Sequence, residues 1–369
     1  MDLSYWEIKS WLTHIDFCIV GSGVVGLNCA LHLNGKYPKA RILILEKGVM
    51  PQGASTKNAG FACFGSLSEL LDDLKTQPIN DVVSLFNKRV KGLKLMRQTL
   101  GDEAIGYKNY GGYELFSDDN LFQECTSKIP EINDLLFPVF KAPVFIPKEH
   151  KFHFKQVNET AIYNPLEGQI DTGKMMESLL QKVLSKGIKI LNTVTVEAFS
   201  EDNKSVKIKT NICELSASKL LICTNGFASQ FNIPGVKPAR AQVLITKPIK
   251  NLNIKGTFHL DLGYYYFRNI DDRILLGGGR NLDFKGEETT TFGQTELIQN
   301  QLESLLKTTI LPEINFEIDH RWSGIMGMGN NKTPIVKSIS NHIFCGVKLG
   351  GMGVAIGGLI GKELAELAS

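Results

Sequence analysis

The sequence predicts an α/β chain (α+β overall) in which a parallel strand–helix–strand unit is interleaved with a unit built on an antiparallel sheet. Three observations predict it. The apolar run 15–20 passes through Gly21-Ser22-Gly23-Val24-Val25-Gly26 directly into a helical pattern. Strand-to-glycine pieces of the same kind return at 188–226 and at 343–353. The stretches between them hold short strand-like runs with helical cover. At 369 residues the chain exceeds the usual size of one core. The division expected is 1–84, 155–232 and 321–369 for the first unit, with 85–154 and 233–320 for the second.

Each glycine of the opening triplet has a separate task. Gly21 makes the tight turn, Gly23 lets the backbone approach a pyrophosphate, and Gly26 lets the helix pack closely on the sheet. The ligand's negative charge would rest on the free N–H groups of Val24 and Val25 at the helix start. A second strand, 40–46, ends in Glu46, twenty residues beyond Gly26, where a carboxylate accepts bonds from ribose hydroxyls; Lys47 follows it. These residues define a dinucleotide site. They fit FAD and NAD alike.

Residues 53–60, Gly53-Ala54-Ser55-Thr56-Lys57-Asn58-Ala59-Gly60, are small and polar and read as a loop whose backbone approaches a ligand. Apolar residues at 82, 86, 90, 93, 96 and 100 predict an amphipathic helix over 80–100. From 111 to 154, Pro130, Pro138, Pro143 and Pro147 suggest short broken strands. Asp171 or Thr172 caps a helix that runs to Lys186 and stops at Gly187. Strands follow at 188–196, 206–213 and 219–223, the last ending in Thr224-Asn225-Gly226. Further strands are expected at 241–246, 264–268 and 274–278, a helix at 297–306, and a strand at 343–346 before Gly350-Gly351-Met352-Gly353 and a helix over 354–367.

Composition narrows the function. With 41 basic and 38 acidic residues the net charge is +3, which gives no general electrostatic case for nucleic acid or an anionic membrane. No run reaches the twenty apolar residues of a membrane span, and residues 1–14 leave little room for a removable leader. The seven cysteines are odd in number and form no CxxC pair, as expected of free thiols in a reducing, cytoplasmic setting. His150 and His153 have no partner cluster, so no metal site is expected.

Taken together, these motifs resemble the FAD-dependent amino-acid and amine oxidoreductases of the D-amino-acid oxidase type, across nearly the whole chain. Four features carry the resemblance. They are the glycine triplet with Glu46, the 53–60 loop, the 220–226 strand-turn with Val196 in the position that contacts adenine, and a closing signature. That signature comprises Arg321-Trp322-Ser323-Gly324, Thr333-Pro334-Ile335 and the glycines from Gly346 to Gly353. The resemblance implies a Rossmann-like FAD-binding domain with an antiparallel-sheet substrate domain. It implies FAD rather than NAD, held without a covalent bond because 326–333 lacks the cysteine that attaches flavin in the sarcosine-oxidase branch. It further implies oxidation of a C–N bond by hydride transfer to flavin N5, with hydrolysis of the imine, and oxygen or another carrier as electron acceptor.

One position departs from the pattern. Met326 stands where the glycine-oxidase branch has an arginine that clamps the substrate carboxylate. Arg240, Arg268, Arg280 and Lys348 are the cations available in its place. Tyr264, Tyr266 and Arg268 share one face of a strand expected to line the substrate pocket. Lys348, beside the final glycine loop, is positioned to favour superoxide-like charge during reaction with oxygen. The final helix would present its N-terminal dipole to the N1/C2 carbonyl edge of a reduced flavin. Two other functions are compatible with the residues: a tRNA-modification oxidase acting on a carboxymethylaminomethyl base, and a non-catalytic flavoprotein serving as a binding module.

Overall fold

Two eight-stranded sheets carry the chain. The structure is a computed structural model that describes residues 2–369. In the first sheet the order is Ile335–Ser338, Ile343–Val347, Glu214–Ile222, Ile15–Val20, Ile42–Leu45, Lys189–Leu191. Every pair from Ile343–Val347 across to Lys189–Leu191 is parallel. Parallel strands of this kind are covered on both faces and so read as continuous apolar runs.

Alternation along Ile15–Val20 separates those faces. Phe17 and Ile19 enter a core with the helices Val24–Lys36, Ile79–Leu100 and Gly353–Leu367. Cys18 and Val20 point the other way, into a core closed by the hairpin Val196–Glu201 and Val206–Thr210. The helices interlock through glycines. A Cβ on Gly361 would lie 2.6 Å from the Val25 carbonyl oxygen, and one on Gly92 would lie 2.3 Å from that of Ala355.

The second sheet runs Ile318–Met328, Lys237–Thr246, Arg273–Gly278, Tyr265–Ile270, Thr257–Leu260, Gly112–Glu114, Thr160–Asn164, Ile146–Glu149. It is antiparallel except where Thr257–Leu260 meets Gly112–Glu114. Ile318–Met328 is bonded along Lys237–Thr246, so it belongs to this sheet although the boundary drawn at 321 gives most of it to the other unit.

Three local expectations change. Residues 119–140 are not broken strands but one helix, Asp119–Phe140, with Pro130 and Pro138 inside it. Cys125, Ile129, Ile132 and Leu136 bury one face at helical spacing, and the Asp118 carboxylate caps Asn120 and Leu121. Burial of that stripe outweighs the two missing amide donors. The run 188–196 divides into Lys189–Leu191 and Val196–Glu201, which lie in different arms of the first sheet. Within 53–60, Ala54–Lys57 forms one helical turn.

Two buried carboxyls tie the segment after Phe61 to its surroundings. Glu167 Oε1 accepts from the Phe64 amide at 2.7 Å, and Glu114 Oε2 from the Leu67 amide at 2.9 Å. Burial pushes Glu167 up to about 8 and Glu114 up to about 7. A carboxyl raised in this way binds more protons folded than unfolded, so its stabilising contribution is full below the ordinary value of 4.5 and is lost as pH rises to about 8. Thermal denaturation across that range should therefore show a shallower fall of Tm with rising pH for Glu167→Gln than for the parent. Gly361→Val, which drives a side chain into a backbone carbonyl, should cost about 2 kcal/mol or more in chemical denaturation.

Candidate functional site

A cleft of about 870 Å³ opens where the carboxyl ends of the parallel strands meet one face of the antiparallel sheet. This is where open parallel sheets bind ligands. Its dinucleotide end is built first. Gly21 has φ +103° and closes the turn after Val20. Gly23 faces Ser55, whose Oγ would sit 2.9 Å from a Cβ placed there, and Ser55 Oγ accepts from the Val24 amide at 2.9 Å. The first turn of Val24–Lys36 and the short Ala54–Lys57 turn thus meet at one point; the Val24 amide, expected to be free for an anion, is taken by the Ser55 hydroxyl, which leaves the anion to the amide of Val25, also at the cleft.

Glu46 is buried, yet lines the cleft. Its Oε2 accepts from the Ser22 amide at 3.0 Å and the Ser22 hydroxyl at 2.7 Å, and its Oε1 from the Gly48 amide at 3.0 Å. A carboxylate has about four acceptor positions, so one is left for a hydroxyl of the ligand. Lys47 and Val196 join it along the wall. Ser22 itself turns away onto Glu46, and Gly26 lies behind the wall, where a Cβ would fall 2.0 Å from the Gly21 oxygen.

Further along, Gly53, Ala54, Ser55, Lys57, Asn58, Ala59 and Gly60 line the floor. Thr56 is turned inward, its hydroxyl donating to the Pro51 carbonyl at 2.8 Å. Asn58 Oδ1 accepts from the Gly60 amide at 2.8 Å, and Gly60 takes φ +72°. Trp322 Nε1 donates to the Lys57 carbonyl at 3.0 Å, which holds the loop against Gly324. On the opposite side Asn225 Oδ1 accepts from the amides of Lys348 and Leu349 at 3.1 and 3.2 Å. That latch sets the path of Gly350, Gly351, Met352 and Gly353, all of which line the cleft at the start of the final helix. Thr224 lines it too, and its buried Oγ1 has no partner. Gly226 stands behind, packed against the Met326 carbonyl.

The far end is lined by Phe61, Glu69, Asp73, His259, Tyr264, Tyr266, Arg280, Met326 and Lys332. Tyr266 stacks edge-on against Phe61 at 5.7 Å, and burial pushes its hydroxyl up to about 12. Met326 places its sulfur 3.5 Å from the Cβ position of Gly351. Three of the four expected cations lie elsewhere. Arg268 is 2% exposed and packed beneath Gly60, outside the lining, where burial lowers it to about 10. Lys348 adopts φ +65° and its Nζ donates to Asn331 Oδ1 at 2.8 Å, also outside the lining. Arg240 is paired with Glu287 at 2.6 Å.

Sequence reasoning missed Glu69, Asp73, His259 and Lys332. Lys332 Nζ lies 3.3 Å from Glu69 and 3.0 Å from Asp73. Burial raises the Glu69 carboxyl, but Lys332, then His259 and Arg89, outweigh it and leave Glu69 below its ordinary range. The two carboxylates are one helical turn apart on Leu67–Thr76, a spacing indistinguishable in sequence from an exposed charged face. His259 had no motif around it.

A narrow backbone-lined groove over a helix start, a buried carboxylate at a strand end and an orphaned Thr224 hydroxyl fit the ADP half of FAD. The glycine-flanked floor fits its flat ring. The fold and cleft thus define a dinucleotide-dependent oxidoreductase. Residues 16–367 match the family model described as DAO, FAD dependent oxidoreductase, and the chain belongs to that family, whose cofactor is FAD. It is 20% identical over 374 residues to the probable oxidoreductase OrdL of Haemophilus influenzae, covering 96% of this chain and 83% of that protein. Its fold is similar to glycine oxidase from Geobacillus kaustophilus (18% identity, TM-score 0.77, 96% and 95% of the two chains). L-proline dehydrogenase from P. horikoshii is similar as well (18% identity, TM-score 0.75, 96% and 92%). No helix among the described residues is long and apolar enough to cross a membrane, and no cluster of metal-ligating side chains occurs among them.

Removing Glu46 leaves three donors without an acceptor in the interior. Glu46→Ala should lower stability by about 2 kcal/mol. It should also yield protein with at least tenfold weaker FAD retention, read from the flavin-to-protein absorbance ratio after dialysis.

Proposed function

We propose that the protein oxidises a C–N bond of a small amine or amino acid, with residues 85–154 and 233–320 forming most of the substrate-side unit. One observation carries this reading: a single cleft joins the Gly21–Glu46 end to an aromatic end at Phe61, Tyr264 and Tyr266. When bound, FAD accepts the hydride of the substrate carbon, and water then hydrolyses the resulting imine. The chain's own contribution is placement and exclusion of water. Phe61 and Tyr266 form an edge-to-face wall that confines a small carbon skeleton beside the 58–60 loop. The N-terminus of Gly353–Leu367 brings free amides and its positive dipole end to the cleft, where negative charge on a reduced ring would be stabilised.

Substrate choice follows from Met326. A thioether offers no fork of donors to a carboxylate, so glycine-type recognition at this position is absent, and Arg280 and Lys332 are the cations left along the far end. All seven cysteines are free, and burial pushes the Cys63 thiol, which lines the cleft, well above its ordinary value. That supports a reducing, cytoplasmic setting and a flavin held without a thioether bond.

Anaerobic mixing with glycine, sarcosine, D-alanine, L-proline and putrescine should bleach the flavin absorbance with at least one of these amines. Retention of full colour with every amine would end this reading in favour of a binding role. Heat denaturation should release all yellow colour into the supernatant. Met326→Arg should lower the KM for α-amino acids relative to amines without a carboxylate by about tenfold, the share of a charge-assisted bidentate contact.

A further inference from the structure

His259 lies on the Thr257–Leu260 strand at the far end of the cleft, is 8% exposed, and has a buried Nε2 with no hydrogen-bond partner. Its ring packs edge-on against Phe61 at 5.2 Å, immediately after the 53–60 floor, and its Cα pairs across the sheet with Tyr266 on one side and Glu114 on the other. A buried polar nitrogen left unpaired is costly, and a ligand that completes it explains why it is there. The groups around it limit what it can do. Glu69 faces it from Leu67–Thr76, and Glu69 and Asp73 are both engaged by Lys332. Arg89 adds positive charge to that group, Glu114 is pushed up to about 7, and Cys63 is held as a thiol. Tyr266, pushed up to about 12, keeps its proton. Burial lowers His259 below its ordinary value, with Glu69 opposing, so the imidazole is neutral at pH 7. Lys332 and Arg280 are cations and accept nothing. Among the described residues at this end of the cleft, His259 is the neutral base.

Resting on the amine-oxidising reading, we propose that His259 receives the substrate's amine: its imidazole accepts the proton that the ammonium form must lose, and Glu69 stabilises the imidazolium formed. The N–H bond of the ammonium breaks and an imidazole N–H bond forms. The freed electron pair stays on the substrate nitrogen, where it becomes the second bond of the C=N product as the carbon is oxidised. No further reactant is needed for this step. It also accounts for the distribution of charge at the site, because a carboxylate pair that the single charge of Lys332 only half neutralises tolerates one added positive charge better than an apolar pocket would.

The test uses FAD-loaded protein and anaerobic stopped-flow reduction from pH 6 to 10, with whichever of the five amines bleaches the parent. His259→Gln, with unchanged FAD content, should reduce the flavin at least tenfold more slowly at pH 7 and recover as pH approaches the amine's own pKa. Glu69→Gln should move the limb of the parent profile that belongs to His259 to lower pH, since the carboxylate raises that group. An His259→Gln profile that superimposes on the parent's overturns the inference while leaving amine oxidation standing. If His259→Gln does not retain FAD, an unmoved limb in Glu69→Gln overturns it instead. Failure of every amine to bleach the parent removes the amine-oxidising reading and this inference with it.

Discussion

The packing of the final helix against the first positions everything else. Gly357 and Gly361 let Gly353–Leu367 sit directly on Val24 and Val25, with no room for side chains between them. Both helices begin at the carboxyl ends of parallel strands, Ile15–Val20 and Ile343–Val347, with Glu214–Ile222 between them, so both N-termini open into the same cleft. On the proposed placement of FAD, one start would present its amides to the phosphates and the other to the reduced ring. A chain whose two ends must meet to make the site cannot build it from either half alone. This explains why the parallel sheet takes strands from 15–45, 189–222 and 335–347, with the antiparallel sheet inserted between them.

The residues that hold this arrangement are mostly polar. Glu46 gathers Ser22 and Gly48, Asn58 fixes Gly60, Trp322 reaches Lys57, and Asn225 grips the amides of Lys348 and Leu349. Each bond is made between segments distant in sequence or across a tight turn, and each leaves one surface facing the cleft. The loops are thus tied down by the chain's own bonds without a ligand, which lowers the ordering cost of binding.

The dinucleotide end was legible because its chemistry forces residue types at fixed spacing. Gly21, Gly23, Gly26 and Glu46 have their identities set by backbone approach and by one carboxylate: Gly26 leaves no room for a Cβ against the Gly21 carbonyl, and Glu46 accepts from the Ser22 amide. The far end has no such code. Arg268 and Tyr266 share a strand face, as alternation requires, but Arg268 is covered by Gly60 and only Tyr266 reaches the cleft. Asp119–Phe140 shows the same limit from the other side: two prolines argued for breaks, and the burial of Cys125, Ile129, Ile132 and Leu136 decided for a helix. Local chemistry gave way to packing that only the assembled chain supplies.

The exchange of Lys348 for Lys332 makes this concrete. Position beside the last glycine loop pointed to Lys348, yet its left-handed backbone and the Asn225 latch turn its side chain to Asn331. Lys332, sixteen residues earlier, comes to the cleft because Glu69 and Asp73 on Leu67–Thr76 draw it there. A lysine bound to two carboxylates is a poor free charge for oxygen but a good neutraliser of its neighbours. With Lys332 engaged by both carboxylates, Met326 apolar and Tyr266 fully protonated, His259 is the neutral base among the described residues at the far end, against a wall of aromatic edges. On the proposal made for His259, such a pocket would suit a group that arrives positive and leaves its proton behind, as an amine does.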